Sequence, residues 1–409
     1  MSSRPADPMT GRGHVPVLDG IRGLAILLVL LLHFVGNTLP TNRMEKGLVT
    51  ITGWGQYGVD LFFVLSGFLI TGILVDSRQK PRYFRNFYLR RILRIFPLYY
   101  GVLFVLFFLL PLVPALRGAT LDTLREHQLW AWLYGVNVFS ALRGDWALPY
   151  IDHFWSLAVE EHFYLVWPLV VWMLGRRPRV LMAVSLGVVA MALVGRIAFS
   201  LAGVNPHALY VLTPFRLDGL ALGGFLAVLT RQPGGRDALV RALPRVVVAA
   251  VLLFLLRFGW SRFTSAGSAV LLPIRESLVM VLLASVLVWA LISEPRSLVG
   301  RFFTSRAMVF LGTYSYGLYV YHHFFSYYLT THRTEFVVAR IVGSHALAVL
   351  IQSIAGIGAS LAVAIASYQL FEKSFLRLKD RLAPAEPRSG PQPVPASAEA
   401  GPVVGTVRS

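Results

Sequence analysis

The sequence predicts an all-α polytopic membrane protein: a bundle of about ten transmembrane helices with the N and C termini both cytoplasmic. Composition is the first observation behind this reading. Hydrophobic residues make up 56% of the 409 and charged residues only 14%, and the mean hydropathy is +0.63, too apolar for a soluble globule of this length. Second, apolar runs of spanning length recur along the chain with short polar connections between them. Third, Lys and Arg gather in alternate connections, about three to one in favour of one side, as the positive-inside rule requires. The formal net charge of +18 belongs to that asymmetry, so no nucleic-acid partner is expected. There is no cysteine, which excludes disulfides, acyl-cysteine intermediates and cysteine-based zinc sites.

The first span, 18–37, contains VLDGIRGLAILLVLLLHF. Arg22 and His33 lie eleven residues apart, only about 20° beyond three full helical turns, so they share a face, and Asp19 joins it three positions before Arg22. Ionisable groups in a spanning helix face partners or a wet cavity and mark a functional site by default. No small-x-small cleavage site follows the run, so it is expected to remain as an anchor. The second span, 57–76, brings Asp60 and several glycines; Gly67 and Gly72 are expected in helix packing, and Gly58 offers a place where a substrate approaches the backbone.

The inner connection ahead of the third span, 97–114, carries seven basic residues from Arg78 to Arg94. Arg90 and Arg94 share a helical face, and Arg91 with Arg94 makes an R-x-x-R pair suited to bidentate phosphate binding. Segment 128–142 is apolar, but counting it as a crossing would reverse the charge asymmetry of everything after it. It is therefore expected to be an outer-face interfacial or re-entrant helix, with Trp130, Trp132 and Tyr134 at the interface.

The fourth span, 153–174, opens with HFWSLAVEEHFYLVWP. Two adjacent carboxylates within a span are costly unless paired, protonated or wet. Glu160 and Glu161 point 100° apart, so only one is expected to face a small site. His153 and His162 read as interfacial or structural. Spans five to eight are 180–201, 211–230, 244–259 and 268–293, the sixth contributing Arg216 and Asp218. The ninth, 308–329, contributes Tyr316, His322 and His323, and the tenth is 344–372. Residues 383–409, rich in Pro, Ala, Gly and Ser, are expected to be a disordered cytoplasmic tail. Residues 1–13 form a cytoplasmic N-terminal segment, and the membrane domain runs from 14 to 375.

Depth sorts the polar groups. His33, Glu160, Arg216 and His322 fall within roughly 6–11 Å of the outer boundary, while Arg22 and the R-x-x-R pair sit at the inner one. The pattern predicts a basic inner mouth and a polar outer chamber joined along the Arg22–His33 stripe.

Assembled, these residues resemble the integral-membrane acyltransferase family 3, over about residues 14–375. Arg22-x10-His33, GVDLFFVLSGFLI, Arg91-x-x-Arg94, WSLAVEEHFYLVWP, FRLDGLALG and YSYGLYVYHH are each similar to a motif of that family. The resemblance implies transfer of an acyl group, acetyl in the leading case, from acyl-coenzyme A to a hydroxyl of a sugar, glycolipid or surface glycan. O-acylation of a secreted antibiotic comes second. Under that reading Arg22, Arg90, Arg91 and Arg94 hold the donor, and His33 acts as general base with Glu160 or Glu161 orienting it. Asp19 joins the catalytic set, and Asp60, Arg216, Tyr316 and His322 bind substrate. The donor is a substrate, no cofactor is permanently bound, no metal site is expected, and the location is a bacterial-type inner membrane. Many relatives append a soluble esterase-like domain, so the membrane core of this chain is expected to bind the acceptor itself. The rival class is a transporter or flippase for a lipid-linked sugar, which intramembrane carboxylates also suit; the R-x-x-R cluster is the feature it does not require.

Overall fold

In the computed structural model the described residues are 15–114, 118–260 and 268–383, and their regular structure is entirely helical. The predicted segment 1–13, and the predicted tail 383–409 apart from its first residue, lie outside them. The chain opens with α1 (Pro16–Leu31), whose last turn widens into a π-helical turn at Leu32–Gly36, one residue before His33. α2 (Arg43–Gly53) runs through a 3-10 turn into α3 (Tyr57–Ser77), and α4 (Tyr83–Phe104) follows. The short α5 (Ala119–Glu126), α6 (Gln128–Trp132) and α7 (Val136–Arg143) precede α8 (Phe154–Leu174) and α9 (Pro178–Leu201). Next come α10 (Pro206–Val211), α11 (Thr213–Leu229), α12 (Gly235–Trp260) and α13 (Ser268–Ile292). The last group is α14 (Leu298–Phe303), α15 (Arg306–Thr313), α16 (Ser315–Thr331), α17 (Thr334–Val342), α18 (His345–Ser367) and α19 (Lys373–Leu382).

Among the described residues nine helices are long and apolar enough to cross a membrane. The ninth predicted span, 308–329, is instead broken at Tyr314 into α15 and α16, the latter of 17 residues, about 26 Å of helix. Counted with α16, the crossings number ten. Segment 128–142 forms α6 and α7, of five and eight residues, too short to cross, as the charge pattern requires. Its aromatics are not all at the interface: Tyr134 is buried, stacked on Tyr99 of α4 at 4.2 Å. Trp132 stacks on Tyr100 at 5.7 Å. Aromatic area is worth more against another ring than in the headgroup layer.

α3 lies at the centre, packed closely on α11, because each presents small residues to the other. A Cβ on Gly67 would meet the Leu220 carbonyl oxygen at 1.9 Å, so the backbones touch there. α1 rests on α15 in the same way: a Cβ on Gly312 would come within 1.8 Å of the Asp19 carbonyl oxygen. Gly58, read as an opening for substrate, faces the backbone of Ala25 instead. Three ion pairs cross-tie this core: Asp60 with Arg216, Asp218 with Arg196 at 2.7 Å, and Asp76 with Arg231 at 2.9 Å.

Candidate active site

A cavity of about 190 Å³ opens between α1, α3, α4, α8 and α16. Its charged lining is Arg22, Arg91, Arg94, Glu160 and Glu161, and its hydroxyls are Ser66, Ser156, Tyr164, Ser315, Tyr316 and Tyr319. Five helices supply it because each carries one polar stripe on an otherwise apolar surface, and the stripes converge. Arg22 is held by Asp19 at 2.5 Å, one helical turn earlier. Among the described residues Arg91 and Arg94 make no ion pair, although Glu160 and Glu161 line the same cavity. Ser66 and Tyr164, 2.5 Å apart, lie beside Glu160. Tyr316 donates its hydroxyl to the Ile95 carbonyl at 2.8 Å, which pins α16 to α4 along the cavity wall. Guanidiniums held within a cavity, with Glu160 and Glu161 beside them, suit bidentate binding of an anion.

At its far end the cavity stops at Ser156 and Tyr319, whose hydroxyls meet at 2.5 Å. The Tyr319 hydroxyl also lies 2.9 Å from the His153 carbonyl. Beyond this partition is a cluster of four imidazoles. The His33 ring centre is 4.8 Å from that of His322 and 5.1 Å from that of His323. His153 packs 5.2 Å from His322 and 4.8 Å from His323.

The hydrogen bonds fix the tautomers, because a carbonyl oxygen only accepts. His33 Nδ1 donates to Val29 at 2.9 Å, and His322 Nδ1 to Tyr319 at 2.8 Å. His153 Nε2 donates to Val320 at 3.3 Å. Each neutral ring therefore keeps its lone pair on the other nitrogen. His322 Nε2 and His153 Nδ1 are buried with no partner among the described residues.

The residues the sequence singled out thus divide into three groups. Arg22, Arg91, Arg94, Glu160, Glu161 and Tyr316 share the cavity. Both glutamates line it, contrary to the expectation that only one would, because the cavity wraps around that edge of α8. His33 and His322 share the imidazole cluster. The remainder are elsewhere. Arg90 donates from Nε and Nη2 to the Ala383 carbonyl at 2.9 and 2.7 Å, capping α19 away from the cavity. Asp60 and Arg216 neutralise each other, both at most 2% exposed, with the Arg216 guanidinium 5.0 Å from the Tyr210 ring centre. Asp19 is the partner of Arg22 and lies about 20 Å along α1 from His33, too far to share a reacting centre. The expected contact between His33 and Glu160 or Glu161 is not made among the described residues: His33 Nδ1 bonds to Val29 and its ring packs on His322 and His323, which do not line the cavity.

Sequence reading missed Ser66, Ser156, Tyr164 and Tyr319 as cavity residues and took His153 as interfacial or structural. An i, i+3 and i+4 pattern of hydroxyls on the α8 and α16 faces already carrying Glu160 and Tyr316 was the available signal. Arg196, buried in the last two turns of α9, was equally visible as a lone charge in an apolar span.

Fold and cavity together define a class: polytopic membrane proteins with a cationic pocket within the bundle. The family described as "Acyltransferase domain" matches residues 15–369, and the chain belongs to this family of integral-membrane acyltransferases. It is 30% identical over 325 residues to the peptidoglycan O-acetyltransferase OatA of Listeria monocytogenes, covering 76% of this chain and 49% of that protein. It is 29% identical over 329 residues to the O-acetyltransferase OatA of Staphylococcus aureus, covering 76% and 50%. The chain thus spans about half the length of these curated relatives. No solved structure matches it.

Proposed function

We propose that the chain is a membrane O-acyltransferase that moves an acyl group, acetyl in the leading case, from acyl-coenzyme A to a hydroxyl of a cell-wall glycan. Family membership supports the reaction class, and the names of the relatives support a peptidoglycan-like acceptor. One observation carries the donor reading: Arg91 and Arg94, without ion-pair partners among the described residues, line a cavity that ends one residue layer from His33. The cavity, at about 190 Å³, is smaller than the clefts that bury drug-sized ligands. It suits a narrow thioester arm, with the nucleotide held outside at the arginines. The Lys and Arg asymmetry puts that mouth on the cytoplasmic side, where the donor is made.

In the proposed reaction His33 Nε2 takes the proton of the acceptor hydroxyl. That oxygen bonds to the acyl carbon, the carbon–sulfur bond breaks, and the thiolate leaves to be protonated. The Nδ1 hydrogen bond to Val29 keeps His33 in the tautomer this needs. Tyr319 must swing away from Ser156 for the thioester to reach His33, a side-chain motion fast relative to ordinary turnover. Glu160 and Glu161 act on the donor side, orienting Arg91 and Arg94. The test uses the full chain in lipid nanodiscs with radiolabelled acetyl-coenzyme A and a soluble glycan oligomer. Label is expected in the glycan, and His33→Gln is expected to lower kcat by about 10²–10⁴ with donor affinity kept. Wild-type turnover by the variant would remove His33 as the base.

A further inference from the structure

We infer that His33, His322 and His323 form a site for a first-row divalent metal ion of the zinc type, and that this ion excludes the acyl acceptor. One ring nitrogen from each of the three lies within 4.8 Å of the other two. A tetrahedral zinc ion with nitrogen ligands at 2.0–2.1 Å sets those nitrogens about 3.3 Å apart. Rotations of the rings supply the remaining approach of about 1.5 Å or less. The rings are already splayed as ligands around a centre are, at 75°, 87° and 59° between planes.

Two further features point to a ligand. His33 and His322 each give Nδ1–H to a backbone carbonyl, the outer hydrogen bond that metal-binding histidines characteristically make and that leaves Nε2 as the donor to the ion. The His322 side chain is fully buried, and its Nε2 has no partner among the described residues. The same holds for His153 Nδ1 beside it, in a side chain 5% exposed. These two buried lone pairs have no hydrogen donor on them among the described residues, and a cation relieves that. Neutral imidazoles select zinc, cobalt, nickel or copper over magnesium or calcium, which want oxygen. His153, or a solvent molecule, completes the fourth position.

The second half of the inference rests on the proposed function. His33 has a single lone pair, on Nε2, because Nδ1 is committed to Val29. An ion holding that lone pair leaves no base for the acceptor hydroxyl, so metal occupancy and acyl transfer are alternatives.

The test titrates the tag-free full chain, solubilised and stripped with a chelator, with cobalt(II). One equivalent is expected to bind with the visible absorption of a four-coordinate nitrogen site, displaceable by zinc. His323→Ala is expected to weaken binding at least 100-fold while keeping its elution profile. Absence of saturable absorption, or equal binding by the variant, overturns the site. In the activity assay zinc is expected to lower wild-type turnover in step with occupancy, a chelator to restore it, and His323→Ala to need at least 100-fold more zinc. Loss of turnover on chelation would overturn the competition. Intact cobalt binding in a chain that never transfers acetyl would uphold the site and reject the proposed reaction.

Discussion

Arg22 in α1 and His33 in the π-helical turn that follows it lie about 16 Å apart along the helix axis and meet different neighbours. Arg22, ion-paired to Asp19 at 2.5 Å, lines the cationic cavity, while His33 packs its ring against His322 and His323. Under the proposed function Asp19 belongs to the donor side. Asp19→Asn is predicted to raise the KM for acyl-coenzyme A a few-fold, through a loosened Arg22, with kcat at saturating donor kept within about two-fold. Steady-state kinetics in nanodiscs separate the two constants, and a fall in kcat of about 10² or more would return Asp19 to the reacting centre.

Arg91 and Arg94, which make no ion pair among the described residues, give a sharper prediction. A charge-assisted hydrogen bond contributes about 1.5–3 kcal/mol, so Arg91→Ala and Arg94→Ala are each predicted to raise the donor KM by about ten-fold or more. Arg90→Ala, which only uncaps the Ala383 carbonyl, is predicted to leave it within about two-fold. Equilibrium binding of a non-hydrolysable donor analogue checks this directly. Equal effects of all three substitutions would mean that a diffuse basic surface, rather than the cavity, holds the phosphates.

The contrast among these arginines explains what was legible in the sequence. Helical spacing groups Arg91 with Arg94, and both line one cavity, because a helix's own geometry decides which residues share its face; the expected stripe joining Arg22 to His33 is not one shared lining, since Arg22 lines that cavity and His33 does not. Whether a face meets a cavity or a neighbouring chain is settled by packing between helices far apart in sequence. Arg90 meets the end of α19 nearly three hundred residues later, and Asp60 meets Arg216 across the α3–α11 contact. The imidazole cluster was half legible: His33 and His322 stood out as titratable groups at similar depth. The break at Tyr314 that aims α16 at α1 had no local signal.

The Asp60–Arg216 pair is read as structural rather than substrate-binding, and a double-mutant cycle decides. Removing one partner strands a buried charge and is predicted to cost about 3–5 kcal/mol. Replacing both, as Asp60→Leu with Arg216→Met, is predicted to recover most of that stability. Thermal unfolding followed by size-exclusion chromatography measures the cycle. If the double variant folds as well as the wild type but has lost all acyl transfer with an elevated acceptor KM, the pair touches substrate after all.

Close helix contact at Gly312 positions Asp19 and hence Arg22. Gly312→Ala puts a methyl group within 1.8 Å of the Asp19 carbonyl oxygen, so α1 and α15 must separate. Overpacking of this kind costs about 1–3 kcal/mol. The variant is predicted to lose that much stability and to show a raised donor KM, while Gly187→Ala, where a Cβ meets nothing within 4 Å, changes neither. Unaltered donor KM in a destabilised Gly312→Ala chain would separate the α15 contact from the cavity.

Asp152 makes stability depend on pH at the turn that leads into α8 and sets His153. Its carboxylate accepts the Leu148 backbone N–H at 2.7 Å, and the side chain is 6% exposed. Burial, with Asp145 nearby, pushes its pKa from 3.8 up to about 6. The folded chain therefore holds this proton to a higher pH than the unfolded chain does. The group's contribution to stability is fully present below about 3.8 and is lost as pH rises through about 6. At neutral pH the loss is about 1–3 kcal/mol, because a tenfold difference in proton affinity between the folded and unfolded chain corresponds to about 1.36 kcal/mol. Asp152→Asn keeps an oxygen for Leu148 and removes the ionisation, so it is predicted to exceed the wild type in stability by about that amount at pH 8, with the difference vanishing near pH 4. Apparent melting temperatures at pH 4, 6 and 8 measure the gap, and a gap that does not change with pH would mean that Asp152 has the same proton affinity in the folded and the unfolded chain.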